Sequence, residues 1–378
     1  MRLGFSILTL DPGRVGGSES VVAGLLGQFS KGNGPERVSV IANEQAAETY
    51  QALASSQLEM VTVPAFRLGR GRRARFGAII KALATDSVTQ FVPVDLDLVH
   101  YPLTVPVPPS DLPVVVSLHD VQHHDYPAFF SRAERLFRAW TYDRPAQRAQ
   151  AVVTLSAHAR DRIVELLSID ESRVYVVPLG IDHARFSPHG QRDEFLLERF
   201  TLPRRFVIYP ANLWPHKNHD RLLQALARTD PELSLVLTGQ LLGRGAWLEQ
   251  VATKLSVTDR LCHLGHVPED VLPALYRRAE AMIFPSLYEG FGSPPLEAMA
   301  CGCAVAASNV GALAEVCDAA ALLFDPSDPD AIADALGRVT TDTNLRDSLR
   351  RAGLAHSARF TWPDTARRQV EVYKAVLG

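Results

Sequence analysis

Cysteine is scarce: the chain holds four, Cys262, Cys301, Cys303 and Cys317, all in its second half, and no two form a C-x-x-C pair. That excludes a disulfide-stapled framework and, with no histidine spacing to match, a structural zinc site. The four read as reduced thiols, the cytosolic pattern. Long apolar runs are missing as well, and none approaches the roughly 20 residues that a membrane-spanning helix needs. The opening run over residues 3–10 is short, and Asp11-Pro12 ends it without a cleavage-site pattern. Charge of one sign is lacking: 39 Lys and Arg stand against 42 Asp and Glu, a net charge of -3. Nothing therefore draws the whole chain to nucleic acid, and any basic surface must be local. No low-complexity tract or short fixed-period repeat occurs, which excludes a solenoid.

What is present is material for large cores. With 378 residues, 47% of them apolar and 21% charged, the chain exceeds the roughly 250–300 residues that one core usually organises, so two domains are expected. Short β-branched runs alternate with helix-length amphipathic segments, the α/β pattern of parallel sheets covered by helices. Strands are predicted near residues 3–8, 38–42, 59–63, 98–101, 114–118, 151–155 and 174–177. After a polar break over residues 180–203, a second series follows near residues 206–209, 235–238, 261–264, 282–284, 304–307 and 321–324. The domain boundary is expected near residue 185, giving domains over 1–185 and 186–360, with a last helix over 361–378 whose packing partner spacing does not reveal.

Two strand-to-helix loops are built for anions. The first strand runs into Asp11-Pro12-Gly13-Arg14-Val15-Gly16-Gly17-Ser18, and glycines in such a turn let the backbone approach a phosphate at the N-terminus of the following helix. The spacing is not G-x-G-x-x-G, and a tight turn with Ser18 as helix cap accounts for it equally well. The second loop, Pro285-Ser286-Leu287-Tyr288-Glu289-Gly290-Phe291-Gly292-Ser293-Pro294, joins a buried strand to a helix that carries Glu297. Ser293-Pro294 reads as N-cap and first helical residue. The Phe291 and Gly292 amides could hold a diphosphate, while Glu289 and Glu297 accept sugar hydroxyls. Two carboxylates beside a phosphate repel it unless they bind hydroxyls, so the pair suits a nucleotide sugar better than a bare phosphate.

Other residues admit a functional and a plain reading. His119 follows the apolar run 113–118 and so stands at a strand's carboxyl end, where open α/β sheets bind ligands; a loop histidine with no such role is the alternative. His119, Asp120, His123, His124 and Asp125 together could ligate a metal, but no helix-spaced pair of histidines with a carboxylate base occurs, and no metal is expected. Asp95-Leu96-Asp97 precedes a strand and reads as a solvated turn rather than a metal-holding D-x-D. Lys217 begins a predicted helix after a strand, where its ammonium could reach phosphates; a surface lysine is the plain reading. Arg67, Arg70, Arg72, Arg73, Arg75 and Lys81 lie in one stretch without an acid. Such a patch could meet an anionic lipid-linked acceptor or make a peripheral contact with membrane headgroups, and a solvated helix face explains it equally.

From Glu289 to Glu297 the chain resembles the E-x7-E signature of the retaining, GT-B-fold glycosyltransferases of family 4, the type that includes bacterial mannosyl- and glucosyltransferases of polysaccharide synthesis. The match extends to the Gly-Phe-Gly and Glu-Ala-Met-Ala context around those carboxylates. Further matches fall in family order: Gly16-Gly17, His119-Asp120, Ser156, Val177-Pro178-Leu179-Gly180-Ile181-Asp182, His216-Lys217-Asn218, Thr238-Gly239 and Gly265. The resemblance implies two Rossmann-like domains with parallel sheets facing across a cleft, the first binding a glycan or lipid-linked acceptor and the second a nucleotide-diphosphate sugar.

By the same resemblance Lys217 neutralises the donor diphosphate, with Gly16, Gly17, Asn212, Gly239, Gly290, Phe291 and Gly292 around it. Glu289 holds the transferred sugar, Glu297 the ribose, and His119 approaches the anomeric centre. Family members often carry an arginine shortly before the lysine, whereas this chain has Ala211-Asn212-Leu213-Trp214-Pro215-His216-Lys217; the second diphosphate cation is then His216 or an arginine from elsewhere. The chemistry implied is hexose transfer with retention of configuration, without metal or cofactor, on the cytoplasmic side, and GDP-mannose is the donor the motifs most resemble. A nucleotide-sugar epimerase and a non-catalytic nucleotide-sugar-binding subunit are the rival readings.

Overall fold

A computed structural model describes residues 1–13, 17–69, 71–84 and 87–378, apart from the side chains of Arg72, Arg73, Arg75 and Ala84. The chain divides into two compact units, Met1–Gly180 with Trp362–Gly378, and Ile181–Thr361. Each holds one wholly parallel sheet among the described residues.

In the first unit the strands are β1 (Arg2–Ser6), β2 (Arg37–Ala42), β3 (Leu58–Thr62), β4 (Leu98–Tyr101), β5 (Val114–Ser117), β6 (Ala151–Thr154) and β7 (Val174–Val176), in the order β3-β2-β1-β4-β5-β6-β7. The second unit has β8 (Phe206–Pro210), β9 (Ser234–Thr238), β10 (Leu261–His263), β11 (Ala281–Phe284), β12 (Val305–Ser308) and β13 (Leu322–Phe324), in the order β10-β9-β8-β11-β12-β13. Every predicted strand is present, with its ends within two residues of those expected. The reason is burial: inner strands β4, β6, β11 and β12 are buried at every position. A strand covered on both faces must be apolar throughout, which makes it legible as a run. Edge strands β3, β10 and β13 are only partly buried.

Both sheets are doubly wound, and the chain reverses its direction of travel between β1 and β4 in the first and between β8 and β11 in the second. At such a reversal the loops leaving the two neighbouring strands diverge to opposite faces and open a crevice at the strands' carboxyl ends. This is where the fold places a ligand.

The last helix, Trp362–Leu377, belongs to the first unit and lies on the helix Gly17–Ser30. Close approach is possible because Gly24 has no side chain: a Cβ there would stand 2.4 Å from the Trp362 ring. Thr365 Oγ1 donates to the Pro178 carbonyl at 2.8 Å. Deeper in, Tyr373 is fully buried, with its hydroxyl 2.8 Å from His100 Nδ1, and the other nitrogen of that ring is 2.8 Å from Ser117 Oγ. Asp97 and Asp95 face Arg2 at the foot of the same sheet, Asp97 accepting the Arg2 backbone N–H at 2.7 Å. They tie the turn before β4 to the first strand. No helix among the described residues is long and apolar enough to cross a membrane.

Candidate functional site

The second unit builds its site at the β8/β11 reversal. Beyond β8 and β9 the two loops stay laced together: Ala211 N–H donates to Thr238 O at 3.0 Å, Leu213 N–H to Gln240 O at 2.9 Å, and Gln240 N–H to Asn212 Oδ1 at 2.7 Å. Gly239 sits where the loops touch, at φ +111°, and a Cβ there would meet the Ala211 carbonyl at 2.8 Å. Only glycine fits both that backbone and that approach. The Gly239 carbonyl is 3.0 Å from His263 Nε2 and its N–H donates to Gly265 O at 2.7 Å.

Lys217 ends a single 3-10 turn, Pro215–Lys217, and Asn218 follows in the left-handed region at φ 59° before the helix His219–Leu226 begins. Asn218 is buried, and its Nδ2 donates to the carbonyls of Pro285 at 3.0 Å and Pro326 at 2.8 Å. The Leu287 N–H donates to His216 O at 2.8 Å, and the Tyr209 hydroxyl to Lys217 O at 2.8 Å. These bonds strap the loop after β8 to the loop after β11. The result is a salt bridge between the Lys217 ammonium and Glu289 Oε1, both side chains only 15% exposed. Ser286 Oγ donates to the same Oε1 at 2.5 Å, and the ammonium lies 5.2 Å from the centroid of the Phe284 ring.

The surroundings are cationic. Burial, followed by the fields of Lys217 and Arg244, pushes the His219 imidazole down to about 3, so it is neutral. Arg244 is in the loop after β9, its guanidinium donating to Leu213 O at 3.2 Å and stacked 4.2 Å from the Trp247 ring centroid. Sequence reasoning could not place this arginine because nothing in its local pattern distinguishes it from a surface residue. Only the lacing of the two loops brings it near.

Glu297 is on the helix Ser293–Ala300, where burial pushes its carboxyl up to about 7 against the opposing field of Arg185. That helix corrects one expectation. Ser293 is its first residue, and the cap is Gly292 at φ +111° with no side-chain cap bond. A side chain at Gly292 would strike Leu313 at 2.6 Å, so the cap position takes only glycine. Phe291 is buried, its ring edge-on to Phe360 at 6.0 Å; Gly290 precedes it in the bend.

In the first unit, His119 does leave the carboxyl end of β5. Its Nε2 is shielded from solvent without a hydrogen-bond partner, and burial lowers the imidazole below its ordinary range despite the nearby Asp120. Asp120 Oδ1 accepts the Gln122 N–H at 3.0 Å. His123 Nε2 and His124 Nε2 stand 3.0 and 2.9 Å from the two oxygens of Asp143, and the three ligand atoms lie within 4.8 Å of one another. Burial pushes the Asp143 carboxyl up, but its bonds to His123 and His124 outweigh this and hold it below its ordinary value. The trio pins the His119 loop to residues 139–143. Asp143, far along the chain from His123 and His124, is the member that no local pattern could supply.

Gly17 opens the helix Gly17–Ser30, with Glu19 Oε2 accepting the Gly13 N–H at 2.8 Å; Gly16 falls outside the described residues. In the basic patch, Arg67 is exposed and 3.8 Å from Glu44. Arg70 lies outside the described residues, as do the side chains of Arg72, Arg73 and Arg75, whose backbone begins the helix Arg72–Ala84.

Residues 15–185 match the Glycosyltransferase Family 4 domain, and residues 197–356 the Glycosyl transferases group 1 domain. Among curated proteins, the O-antigen chain mannosyltransferase B of Escherichia coli is 29% identical over 266 residues, 69% of this chain and 70% of that protein. The serotype-specific mannosyltransferase WbdA of Escherichia coli is 31% identical over 240 residues, 61% of this chain but only 29% of that longer protein. The fold is that of Anabaena Alr3699/HepE, solved in complex with UDP and glucose, with a TM-score of 0.73, 20% identity and 99% of both chains covered.

Proposed function

The chain belongs to the family 4 glycosyltransferases of GT-B fold, and on that premise we propose that it transfers mannose from GDP-mannose, with retention, to a glycan or lipid-linked acceptor of cell-surface polysaccharide. The observation that carries this reading is the Lys217–Glu289 pair at the β8/β11 reversal. It sets a cation for a diphosphate beside a carboxylate for sugar hydroxyls at the point where the fold opens its crevice. Mannose is favoured by the two Escherichia coli relatives, both mannosyltransferases by name.

Breaking the bond between sugar and diphosphate develops negative charge on the leaving group and positive charge on the sugar. Lys217 stabilises the first electrostatically. Arg244 is proposed as the second cation in place of the family's missing arginine, while Asn212, its Oδ1 engaged by Gln240, keeps the loop in place. Glu289 exchanges its bond to Lys217 for hydroxyls of the sugar once the diphosphate claims the ammonium. Glu297, held near neutrality, accepts the ribose hydroxyls.

The first unit binds the acceptor on this reading. His119, neutral and with an unpartnered Nε2, is suited to a hydrogen bond near the anomeric centre. No group on this chain is assigned as a covalent nucleophile, so attack from the face that the nucleotide leaves is the proposed route to retention. The reaction needs no metal or cofactor on this reading and takes place on the cytoplasmic side of the membrane.

Thermal unfolding with GDP, UDP, ADP, GDP-mannose and UDP-glucose, with and without EDTA, tests the donor. Ligand at about 100 times its dissociation constant adds about 2.7 kcal/mol, a shift of several degrees. Stabilisation by the guanine pair alone, indifferent to EDTA, is expected; stabilisation by the uridine pair alone would overturn the mannose assignment. No response to any nucleotide would overturn the transferase reading, and an inverted product would overturn retention.

A further inference from the structure

Of the five neighbouring residues that the sequence offers as metal ligands, the fold brings only two together and adds one from elsewhere. Asp120 accepts the Gln122 N–H, and Asp125 is held by Arg162, whose Nε donates to Oδ1 at 3.0 Å. His119 leaves β5 without joining the others. What converges is His123, His124 and Asp143, which offer two imidazole nitrogens and a carboxylate oxygen within 4.8 Å of one another.

The spacing suits a small cation. The two Nε2 atoms stand 3.0 and 2.9 Å from the Asp143 oxygens, and two ligands each about 2.0–2.1 Å from a zinc ion are roughly 3.3 Å apart at the tetrahedral angle. Both histidine–carboxylate edges therefore open only slightly to admit the ion. The edge between the nitrogens closes by a turn of the His124 ring, whose side chain is 33% exposed, against 2% for His123 and 9% for Asp143. Two ligands are thus fixed in the interior, and the third faces solvent, where an ion enters and a water completes its shell. His123 Nδ1 is buried with no hydrogen-bond partner among the described residues, so nothing on that side holds the tautomer whose proton occupies Nε2.

The backbone gives a second, independent sign. Asp143 ends the π-helical turn Ala139–Asp143, closed by the Arg144 N–H donating to the Ala139 carbonyl. Such turns are rare and concentrate at functional sites. Two imidazoles with one carboxylate favour zinc and its first-row neighbours, whereas magnesium and calcium prefer shells of oxygen.

We propose that His123, His124 and Asp143 hold one zinc-class divalent ion with water as its fourth ligand. The ion is structural: it fastens the loop that begins at His119 to the π turn and takes no part in sugar transfer.

The test is calorimetric titration of the full chain, stripped with EDTA and dialysed, with zinc sulfate near neutral pH. One ion per chain is expected, with a dissociation constant of about 1 μM or tighter, and at about 100 times that constant the unfolding midpoint rises by several degrees. Magnesium at the same concentration leaves the midpoint unmoved. His124→Ala removes the solvent-facing ligand and leaves the buried pair, so the chain folds while zinc affinity falls by about 100-fold or more, beyond the loss of an outer-shell partner. Asp143→Asn, used where its zinc-free unfolding stays cooperative, should lose as much. Absence of zinc binding, an equal response to magnesium, or zinc affinity undiminished in His124→Ala overturns the inference, the last by placing the ion at other histidines or thiols.

Discussion

The Lys217 ammonium and the Glu289 carboxylate neutralise each other, with Ser286 completing the carboxylate's bonding. A diphosphate must therefore compete with Glu289 for the cation, and the two partners have opposite effects when removed. Glu289→Gln frees the ammonium and lifts a repulsion, so nucleoside diphosphate should bind about three- to tenfold more tightly while transfer falls by about 100-fold or more. Lys217→Ala leaves a largely buried carboxylate facing the diphosphate, and binding should weaken by about tenfold or more. Calorimetric titration beside steady-state turnover separates them. Equal weakening in both variants would mean that Glu289 grips the nucleotide rather than the sugar.

Glu297 gives stability an unusual pH dependence. Its folded carboxyl stands at about 7, raised from 4.5 by burial. Between those values the folded chain keeps a proton that the unfolded chain has released, so its contribution to stability falls as pH rises through the window and the whole cost remains above it. Glu297→Gln should therefore gain stability over the unaltered chain at pH 8, by about 3 kcal/mol at most, and nothing at pH 4. Urea unfolding at the two pH values measures this; a gain of the same size at both would assign the effect to packing rather than ionisation.

Arg244 should behave as part of the donor site rather than as a surface charge. Its carbonyl anchor at Leu213 and its stacking on Trp247 hold the guanidinium in one place, and a held cation loses little freedom on gripping a phosphate. In Arg244→Lys the charge survives without the planar fork, and in Arg244→Ala neither survives. Affinity for nucleoside diphosphate should fall in that order, by about threefold and then tenfold or more, with affinity for the nucleoside unchanged. A parallel loss for nucleoside and nucleoside diphosphate would mean that the residue only supports the loop.

His119→Asn keeps a polar group at the end of β5 but removes the imidazole. Turnover should fall by about 100-fold, while the nucleotide-induced rise in unfolding midpoint stays as it was, because the donor groups other than the Gly16-Gly17 loop are on the second unit. A lost nucleotide response would place His119 in donor binding instead.

The strands and the donor motif were legible because each is local. A strand buried on both faces reads as an apolar run, and the loop from Pro285 to Gly292 carries its glycines and carboxylate side by side in sequence. What was not legible is contact between distant positions. Lys217 and Glu289 are 72 residues apart, and Asp143 stands 20 residues from His123; neither partnership leaves a periodic trace. The glycine cap at position 292 was hidden for the same reason, since the residue that forbids a side chain there, Leu313, comes from another helix.

The last helix met the same limit, since Tyr373 and His100 are 273 residues apart. Burial pushes the His100 imidazole down to about 3, with the neighbouring His119 adding to the effect, so the ring is neutral and bonded at both nitrogens. Tyr373→Phe leaves Nδ1 without its partner in a dry interior and should cost about 1–3 kcal/mol. Ionisation adds a second signature. Below about 6.5 the unfolded imidazole takes a proton that the folded one refuses until about 3, so stability drains away as pH falls through that window. Between pH 7 and pH 5 the loss is about 2 kcal/mol, opposite in sign to the contribution of Glu297. His100→Asn should remove this acid sensitivity, so that its urea midpoint falls less than that of the unaltered chain between the two pH values. An equal fall in both would show that the folded His100 accepts its proton as readily as the unfolded one, and the neutral bridge between the sheet and the last helix would have to be abandoned.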